Sequence, residues 1–161
     1  MTEEAGVGGD PRRWHTGCTF FDHNRDGNLD LFVSTYIGAD SLKNLPPKGR
    51  TTWKGVPVAY GPQGLQEGSN VLYRNNGDGS FTEVTEQAQI LDATGFGLTV
   101  MATDYNGDGW QDLYVACDSS PSILFRNNQD GTFSDVAAER GLAYSPDGVS
   151  QAGMGLSLIH I

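Results

Sequence analysis

Two stretches of nine residues share one spacing of oxygen-bearing side chains, and this spacing constrains the chain more than any other feature. They are Asp22-His23-Asn24-Arg25-Asp26-Gly27-Asn28-Leu29-Asp30 (the first loop) and Asp104-Tyr105-Asn106-Gly107-Asp108-Gly109-Trp110-Gln111-Asp112 (the second loop). Each has Asp or Asn at positions 1, 3, 5 and 9 and glycine at position 6. Carboxylates held so close together repel one another unless a cation lies between them. Calcium, a hard cation that takes six to eight oxygen ligands, suits such a loop.

Both loops are predicted to lie in β-hairpins rather than between the helices of an EF-hand. An EF-hand needs a bidentate Glu at its twelfth position, where this chain has Val33 and Val115. The flanking segments are short and rich in β-branched and aromatic residues, which is typical of strands. Asx-rich turns without metal stay open as an alternative, because Asp, Asn and Gly favour turns for local reasons. The recurrence of the same four positions favours the metal.

A second repeated segment, at residues 70–84 and 122–136, consists of a strand, an Asx-Gly turn and another strand. This pattern predicts a hairpin. Asp78 and Asp130 lack a partner at position 9, so we interpret them as turn formers. Loop and hairpin together give four strands in about fifty residues, the period of a β-propeller blade. The sequence therefore predicts an all-β chain of β-propeller blades, each a four-stranded antiparallel sheet, with about two complete blades plus partial flanking ones.

The repeats divide the chain into four parts. We expect residues 1–12 to be the tail of a preceding blade, 13–92 a blade with a long insert at 37–69, 93–144 a second blade, and 145–161 the start of a further blade. The insert contains four prolines and no convincing period, which predicts a long surface loop. Residues 156–161 also match the translation of a common transposon adapter, which leaves open that they are not native. We expect a fragment, since two blades and two partial ones do not close a ring.

Composition narrows the range of partners. The net charge is −10, from 20 acidic and 10 basic residues, and six of the acids lie in the two loops. This balance argues against nucleic acid, which requires a basic surface. No apolar run approaches the roughly eighteen residues that a membrane span needs.

Cys18 and Cys117 lie in apolar strands, so we predict buried thiols rather than a disulfide.

The repeated unit resembles the FG-GAP/VCBS repeat, the blade of integrin α-subunit-type propellers. The resemblance rests on residues 21–33 and 105–115, on the insert, and on the run Leu-Tyr-Arg-Asn-Asn-Gly-Asp-Gly-Ser-Phe-Thr-Glu-Val-Thr-Glu from Leu72 to Glu86. Within the insert, residues 54–58 and 61–65 are similar to a loop of the cartilage acidic protein family, whose members often end in an ASPIC/UnbV domain.

The resemblance implies two calcium sites, each with four side-chain ligands and one backbone carbonyl from the seventh residue of the loop. The implied ligands are the side chains of Asp22, Asn24, Asp26 and Asp30 with the Asn28 carbonyl, and the side chains of Asp104, Asn106, Asp108 and Asp112 with the Trp110 carbonyl. It also implies a secreted, periplasmic or cell-surface protein that acts in adhesion or recognition, with calcium in a structural role.

We expect no enzymatic activity, because no spacing assembles a nucleophile, a base and an orienting acid. The alternative function is that of an accessory propeller of a polysaccharide-active or other extracellular enzyme. Expected partners are a protein or glycan ligand and the remaining blades of the parent propeller. The insert is the candidate contact surface because Arg50, Trp53 and Tyr60 are residue types enriched at recognition surfaces. Packing of Trp53 and Tyr60 onto the blade is the alternative role.

Overall fold

The computed structural model describes residues 2–39, 41, 52–57, 61–62 and 64–157. These residues form twelve β-strands and no α-helix. Two four-stranded antiparallel sheets contain eight of the strands, which confirms the prediction of an all-β protein built from propeller-type blades. Among these residues, no helix is long and apolar enough to cross a membrane.

The first blade consists of β1 (Trp14–Phe21), β2 (Asp30–Ile37), β6 (Val71–Asn75) and β7 (Phe81–Glu83). They lie in the order β1-β2-β6-β7, and every neighbouring pair is antiparallel. The first loop joins β1 to β2 and brings Phe21 opposite Asp30. The last residue of the first loop is therefore also the first residue of a strand.

The second blade repeats this arrangement with β9 (Gly97–Thr103), β10 (Asp112–Cys117), β11 (Ile123–Asn127) and β12 (Phe133–Asp135). Its strand order is β9-β10-β11-β12, again antiparallel throughout. The second loop joins β9 to β10, with Thr103 opposite Asp112. Because the register is equivalent, each loop occupies the same position in its blade.

The hairpins between the third and fourth strands close through turns that Asp78 and Asp130 organise. The Asp78 carboxylate accepts a hydrogen bond from the Ser80 backbone N–H at 2.9 Å, and Asp130 accepts one from Thr132 at 3.0 Å. Such Asx turns mimic a backbone turn locally. Both aspartates therefore act as turn formers, as their sequence context predicts.

The main apolar core lies between the two blades. Phe21, Phe32 and Leu72 from the first blade are buried with Leu113 and Phe125 from the second. The rings of Phe32 and Phe125 meet with their centroids 6.0 Å apart. Burial of side chains of this size stabilises the fold by about 1.5–3 kcal/mol each. The two blades therefore fold onto one shared core, and this packing positions the two loops.

The innermost strands of the two blades approach closely at Gly17. A Cβ atom on Gly17 would lie 2.8 Å from the Thr99 Cα, so only glycine fits without a backbone shift. Beside it, the Thr16 hydroxyl donates a hydrogen bond to the Gly97 carbonyl at 2.7 Å. Strands β1 and β9 are thus joined by packing and by a polar contact.

A chain segment that precedes each blade packs against the outer strand of that blade. The Ala5 carbonyl accepts a hydrogen bond from the Phe81 N–H at 2.8 Å, and the Ala88 carbonyl accepts one from Phe133 at 2.9 Å. Phe81 and Phe133 occupy equivalent positions in β7 and β12. The tail after the first blade therefore contacts the outer strand of the second, and residues 2–6 make the equivalent contact with the first.

The insert contains more regular structure than the predicted surface loop. Strands β3 (Thr52–Trp53) and β4 (Val56–Pro57) form a small hairpin, and β5 (Gly68–Ser69) pairs with β8 (Thr94–Gly95). The hairpin forms because Lys54 and Gly55 both adopt positive φ angles, 51° and 80°, which a two-residue turn requires. Arg50, Tyr60, the Trp53 side chain and residues 158–161 lie outside the described part.

The two cysteines differ in exposure. Cys117 is buried in the shared core, whereas Cys18 is exposed on β1, and both are free thiols. The prediction of a buried thiol is therefore wrong for Cys18. On β1 the side chains of Trp14 and Phe20 are also more than half exposed. Their face of the strand is uncovered, so an apolar sequence around Cys18 does not imply burial.

Candidate metal centre

In the first loop, the side-chain oxygens of positions 1 and 3 converge on one backbone amide. The Asp26 N–H donates to Asp22 Oδ1 and to Asn24 Oδ1, both at 3.1 Å. The other Asp22 oxygen accepts a bond from the Gly27 N–H at 2.9 Å. These bonds hold three of the predicted ligands, Asp22, Asn24 and Asp26, at one tight bend of the chain.

The second loop has the same internal bonds. The Asp108 N–H donates to Asp104 Oδ1 at 3.1 Å and to Asn106 Oδ1 at 3.0 Å, and the Gly109 N–H donates to Asp104 Oδ2 at 2.8 Å. Glycine at position 6 has φ of 85° in both loops, at Gly27 and Gly109. Because glycine adopts positive φ without steric cost, the bend that gathers the oxygens depends on it.

The position-5 aspartates are exposed and carry lowered pKa values. Asp26 accepts a bond from the Asn28 N–H and Asp108 accepts one from the Trp110 N–H, each at 2.8 Å. These backbone bonds are the largest cause of the lowered pKa of each carboxyl group, followed by the side-chain amides of the position-3 asparagines. Both groups are therefore negatively charged at neutral pH, as ligands of a cation must be.

The position-9 aspartates, in contrast, are fully buried. Asp30 Oδ1 accepts a bond from the Asn75 N–H, and Asp112 Oδ1 accepts one from the Asn127 N–H, each at 2.8 Å. Asn75 and Asn127 end the third strand of their blades, so the register between the second and third strands produces this contact. The sequence analysis did not assign these asparagines to the site. The sequence feature that could have indicated them is an asparagine at the same position of both repeated hairpins.

The second oxygen of the position-9 carboxylate accepts the backbone N–H of position 2 in both loops, but within the described part of the chain only that of the first also contacts a side chain. Asp30 Oδ2 accepts a bond from the His23 N–H at 3.0 Å and contacts the His23 ring at Nδ1. Asp112 Oδ2 accepts only the Tyr105 N–H, at 3.2 Å, among the bonds of the described residues. Burial, together with the neighbouring Asp108 and Asp104 carboxylates, outweighs these bonds and raises the pKa of Asp112. A cation at the second loop would relieve this electrostatic cost.

The structure brings together only part of the predicted ligand set. Among the residues that it describes, no three His, Cys, Asp or Glu side chains form a group that could hold a metal by themselves. Both oxygens of Asp30 and of Asp112 accept bonds from backbone N–H groups, and the predicted sets also include amide and carbonyl oxygens. A carboxylate oxygen has lone pairs for a further partner. The donors present, all oxygen and rich in negative charge, fit a hard cation such as calcium, and the full ligand assignment stays a prediction.

Comparison with known proteins shows a repeat family that includes the second loop. The model of the FG-GAP-like repeat family matches residues 58–115 and 104–155. Integrin alpha-7 of Rattus norvegicus is 30% identical over 140 residues, 78% of this chain and 12% of that protein. The mouse protein of the same name, from Mus musculus, is 29% identical over 140 residues, which are 78% of this chain and 11% of that protein.

A shorter similarity extends to a further protein. Cartilage acidic protein 1 of Xenopus tropicalis is 31% identical over 84 residues, 50% of this chain and 13% of that protein. The matches thus span 11% to 13% of the length of these relatives. The similarity therefore concerns repeats within them rather than their whole architecture.

Proposed function

The chain belongs to the FG-GAP-like repeat family, and on that premise we propose that it is a calcium-binding propeller module of a secreted or cell-surface protein. It acts in adhesion or ligand recognition, and its two calcium ions are structural. The observation that carries the proposal is the set of hydrogen bonds that the two loops share. In each, the oxygens of positions 1 and 3 converge on the position-5 amide, beside a buried carboxylate at position 9.

In this proposal the loop residues hold a cation that the blade needs for stability. Bound calcium would supply positive charge to three carboxylates per loop. Asp22, Asn24, Asp26 and Asp30 would hold it in the first loop with the Asn28 carbonyl. Asp104, Asn106, Asp108 and Asp112 would hold it in the second with the Trp110 carbonyl. Since Asp30 and Asp112 begin β2 and β10, the ion would fasten each loop to the strand that follows it.

The proposed setting outside the cell rests on two arguments. Similarity to proteins named integrin alpha-7 and cartilage acidic protein 1 supports an adhesion-type module. Loops without a bidentate Glu suit the weak affinities of extracellular calcium modules, with Kd of about 10⁻⁴–10⁻³ M. Such sites are filled only where calcium exceeds those concentrations, and ambient calcium is high outside the cell.

The partner is proposed to be a protein or glycan, contacted through the 37–69 insert. In the described part of that insert, the β3–β4 hairpin presents an exposed Val56. A hairpin within a connection of the blade suits recognition residues, because loops carried by rigid scaffolds account for much of protein binding. The remaining blades of the parent propeller are the other proposed partners.

We further propose that the chain performs no chemistry of its own. Burial raises the pKa of the Cys117 thiol to about 12, which keeps it protonated and unreactive at neutral pH. The His15 ring contacts the Thr35 hydroxyl at 3.1 Å, so the histidine near Cys18 in sequence has a structural partner. These contacts support a binding module rather than a nucleophilic enzyme.

Thermal unfolding with calcium, with magnesium and with EGTA tests the proposal. A ligand that binds only the folded state stabilises it by RT ln(1 + [L]/Kd), about 1.4–2.7 kcal/mol per site at 10 to 100 times Kd. We expect a calcium-selective rise in Tm, and calorimetry should count two sites. No selective rise in a folded protein would mean that the loops are Asx turns.

Substitutions assign the sites. We expect Asp26→Ala and Asp108→Ala each to remove one of the two calcium ions and about half of the stabilisation by calcium. The matched control is Asp130→Ala, which also removes an exposed aspartate that forms an Asx turn but lies outside both loops. It should leave the calcium response unchanged. If Asp26→Ala and Asp108→Ala both still bound two calcium ions, the ligand assignment would be contradicted.

A further inference from the structure

Arg25, at position 4 of the first loop, has an unusual backbone conformation for its residue type. Its φ is 59°, in the left-handed region, and the second loop has Gly107 with φ of 73° at the same position. Left-handed φ is unfavourable for a residue with a Cβ atom. Glycine would adopt this φ at lower cost, so the backbone conformation alone does not explain an arginine at this position.

The Arg25 side chain leaves its own loop and lies on the second loop. Its guanidinium donates a hydrogen bond to the Gly109 carbonyl. The guanidinium carbon lies 4.7 Å from the centroid of the Trp110 ring, within the range of a cation–π contact. A Cβ on Gly109 would lie 2.7 Å from an Arg25 nitrogen, so the absence of a side chain there admits the arginine. Gly109 is outside the implied ligand set, and the contact leaves that set intact.

The charge distribution around the second loop gives this contact an electrostatic consequence. Residues 104–112 contain three aspartates and no basic residue. Arg25 contributes to the lowered pKa of Asp108, after the backbone and side-chain hydrogen bonds. Arg140 is a second cation near this loop, and its guanidinium lies 5.9 Å from the Tyr105 ring centroid. The first blade therefore supplies a positive charge to the carboxylates of the second.

We propose that Arg25 is a built-in counter-ion and positioning residue of the second loop, so that one residue of the first blade tunes divalent-cation binding in the second. The inference rests on the proposed function, since it requires the second loop to bind such a cation. The guanidinium offsets part of the carboxylate repulsion in the metal-free loop and opposes the arrival of a second positive charge. Removal of Arg25 therefore strengthens cation binding at the second loop.

Terbium, a luminescent substitute for calcium, tests the proposal with Trp110 as the sensitiser within the second loop. Arg25→Gly is expected to bind terbium about threefold more tightly at low ionic strength, an advantage that shrinks as salt screens the charge. Arg25→Lys keeps the charge and is expected to bind like the unsubstituted protein. Arg12→Gly is the matched control: it removes the same charge at the opposite end of β1, about 25 Å away.

Because Arg25 is itself a residue of the first loop, next to Asn24 and Asp26, the comparison is repeated in an Asp26→Ala background. The roughly threefold ratio of terbium affinities with and without Arg25 is expected in that background too, since the first loop no longer binds terbium. Unchanged or weaker terbium binding in Arg25→Gly would overturn the proposal, as would an Arg25→Lys variant that behaves like Arg25→Gly. Failure of the unsubstituted protein to bind terbium at all would overturn the proposed function and, with it, this inference. Terbium binding of equal strength in all variants would overturn the Arg25 inference alone.

Discussion

The two loops have the same ligand spacing and the same internal bonds, yet they differ in how their negative charge is balanced. The first loop contains His23 and Arg25 at positions 2 and 4, where the second contains Tyr105 and Gly107. The His23 ring lies against the buried Asp30, whereas Tyr105 offers Asp112 only its backbone N–H. The spacing thus defines the oxygens, and the intervening residues decide how much the loop relies on an added cation.

The consequence is a difference in dependence on metal. The pKa of Asp112 is raised by burial and by the carboxylates around it, so its charged form is costly in the folded protein. Asp30 is equally buried, but one of its oxygens also contacts the His23 ring at Nδ1. At position 9, therefore, we infer that a bound cation relieves more electrostatic cost in the second loop than in the first, in addition to the partial compensation that Arg25 gives to Asp108.

The largest expected effect is the loss of unfolding free energy in Asp30→Ala, compared with Asp112→Ala, in metal-free protein. Asp30 accepts bonds from the Asn75 and His23 N–H groups and contacts the His23 ring, so its loss leaves two buried groups of His23 and the half-buried Asn75 N–H without this partner. Asp112 accepts two backbone bonds and has a costly charge. We expect Asp30→Ala to cost about 3 kcal/mol of unfolding free energy and Asp112→Ala about 1 kcal/mol less. Urea unfolding in EGTA measures both.

Equal costs in the two variants would mean that the contact with the His23 ring does not stabilise Asp30, and the loops would then differ in sequence but not in stability. The control is Asp78→Ala, in which an exposed turn aspartate is removed from the first blade. Its cost should stay below that of either buried aspartate, because water replaces the lost bonds.

The second prediction compares the asparagines that end the third strands. Asn127 is buried, and its amide donates to the His23 carbonyl at 2.9 Å, across the boundary between the blades. Asn75 donates to the Leu29 carbonyl of its own blade at 2.9 Å, at a more exposed place. Asn127→Ala should therefore cost about 2 kcal/mol, and Asn75→Ala about 1 kcal/mol, because only the former leaves a buried carbonyl without a donor.

Chemical unfolding of both asparagine variants, with and without calcium, checks this order. If Asn75→Ala proved the more damaging, the contact between the first loop and the second blade would carry less stability than its burial indicates. A calcium-dependent difference would show in addition that Asn127 supports the metal-bound form of the loops.

Local patterns predicted much of this fold. The loops, the Asx turns at Asp78 and Asp130 and the strands between them depend on residues near in sequence, so spacing and composition were sufficient. The same local logic missed the β3–β4 hairpin, whose turn uses a lysine at positive φ. It also predicted burial for Cys18, because an apolar strand does not reveal which of its faces another sheet covers.

The missed parts of the site all depend on contacts between elements distant in sequence. Asn75 reaches Asp30 only through the register of β2 and β6. Asn127 reaches the His23 carbonyl only because the blades share a core. Nothing in the sequence indicated the contact that Arg25 makes, since a charged residue in an acidic loop is expected to point into solvent. Recurrence within the repeats could have indicated the asparagines, but the single Arg25 required the packed structure.

The smallest expected effect is the difference in stability cost between Gly27→Ala and Gly109→Ala. It separates the Arg25 contact from the backbone strain that both loops share. Gly27 and Gly109 both have φ of 85°, so alanine at either costs about 1 kcal/mol in strain. A Cβ at Gly27 meets nothing within 4 Å, whereas one at Gly109 lies 2.7 Å from an Arg25 nitrogen. Because the far end of a flexible side chain can move aside, Gly109→Ala should cost only about 0.5 kcal/mol more than Gly27→Ala, the value of an exposed cation–π contact.

A double-mutant cycle makes this small difference interpretable. In an Arg25→Gly background the costs of Gly27→Ala and Gly109→Ala should become equal, because the side chain that distinguishes them is gone. A difference that persists without Arg25 would have to come from the loop itself, and the two loops would then differ in intrinsic backbone strain. A difference that vanishes would show that the second loop differs from the first partly through a residue that the first loop provides.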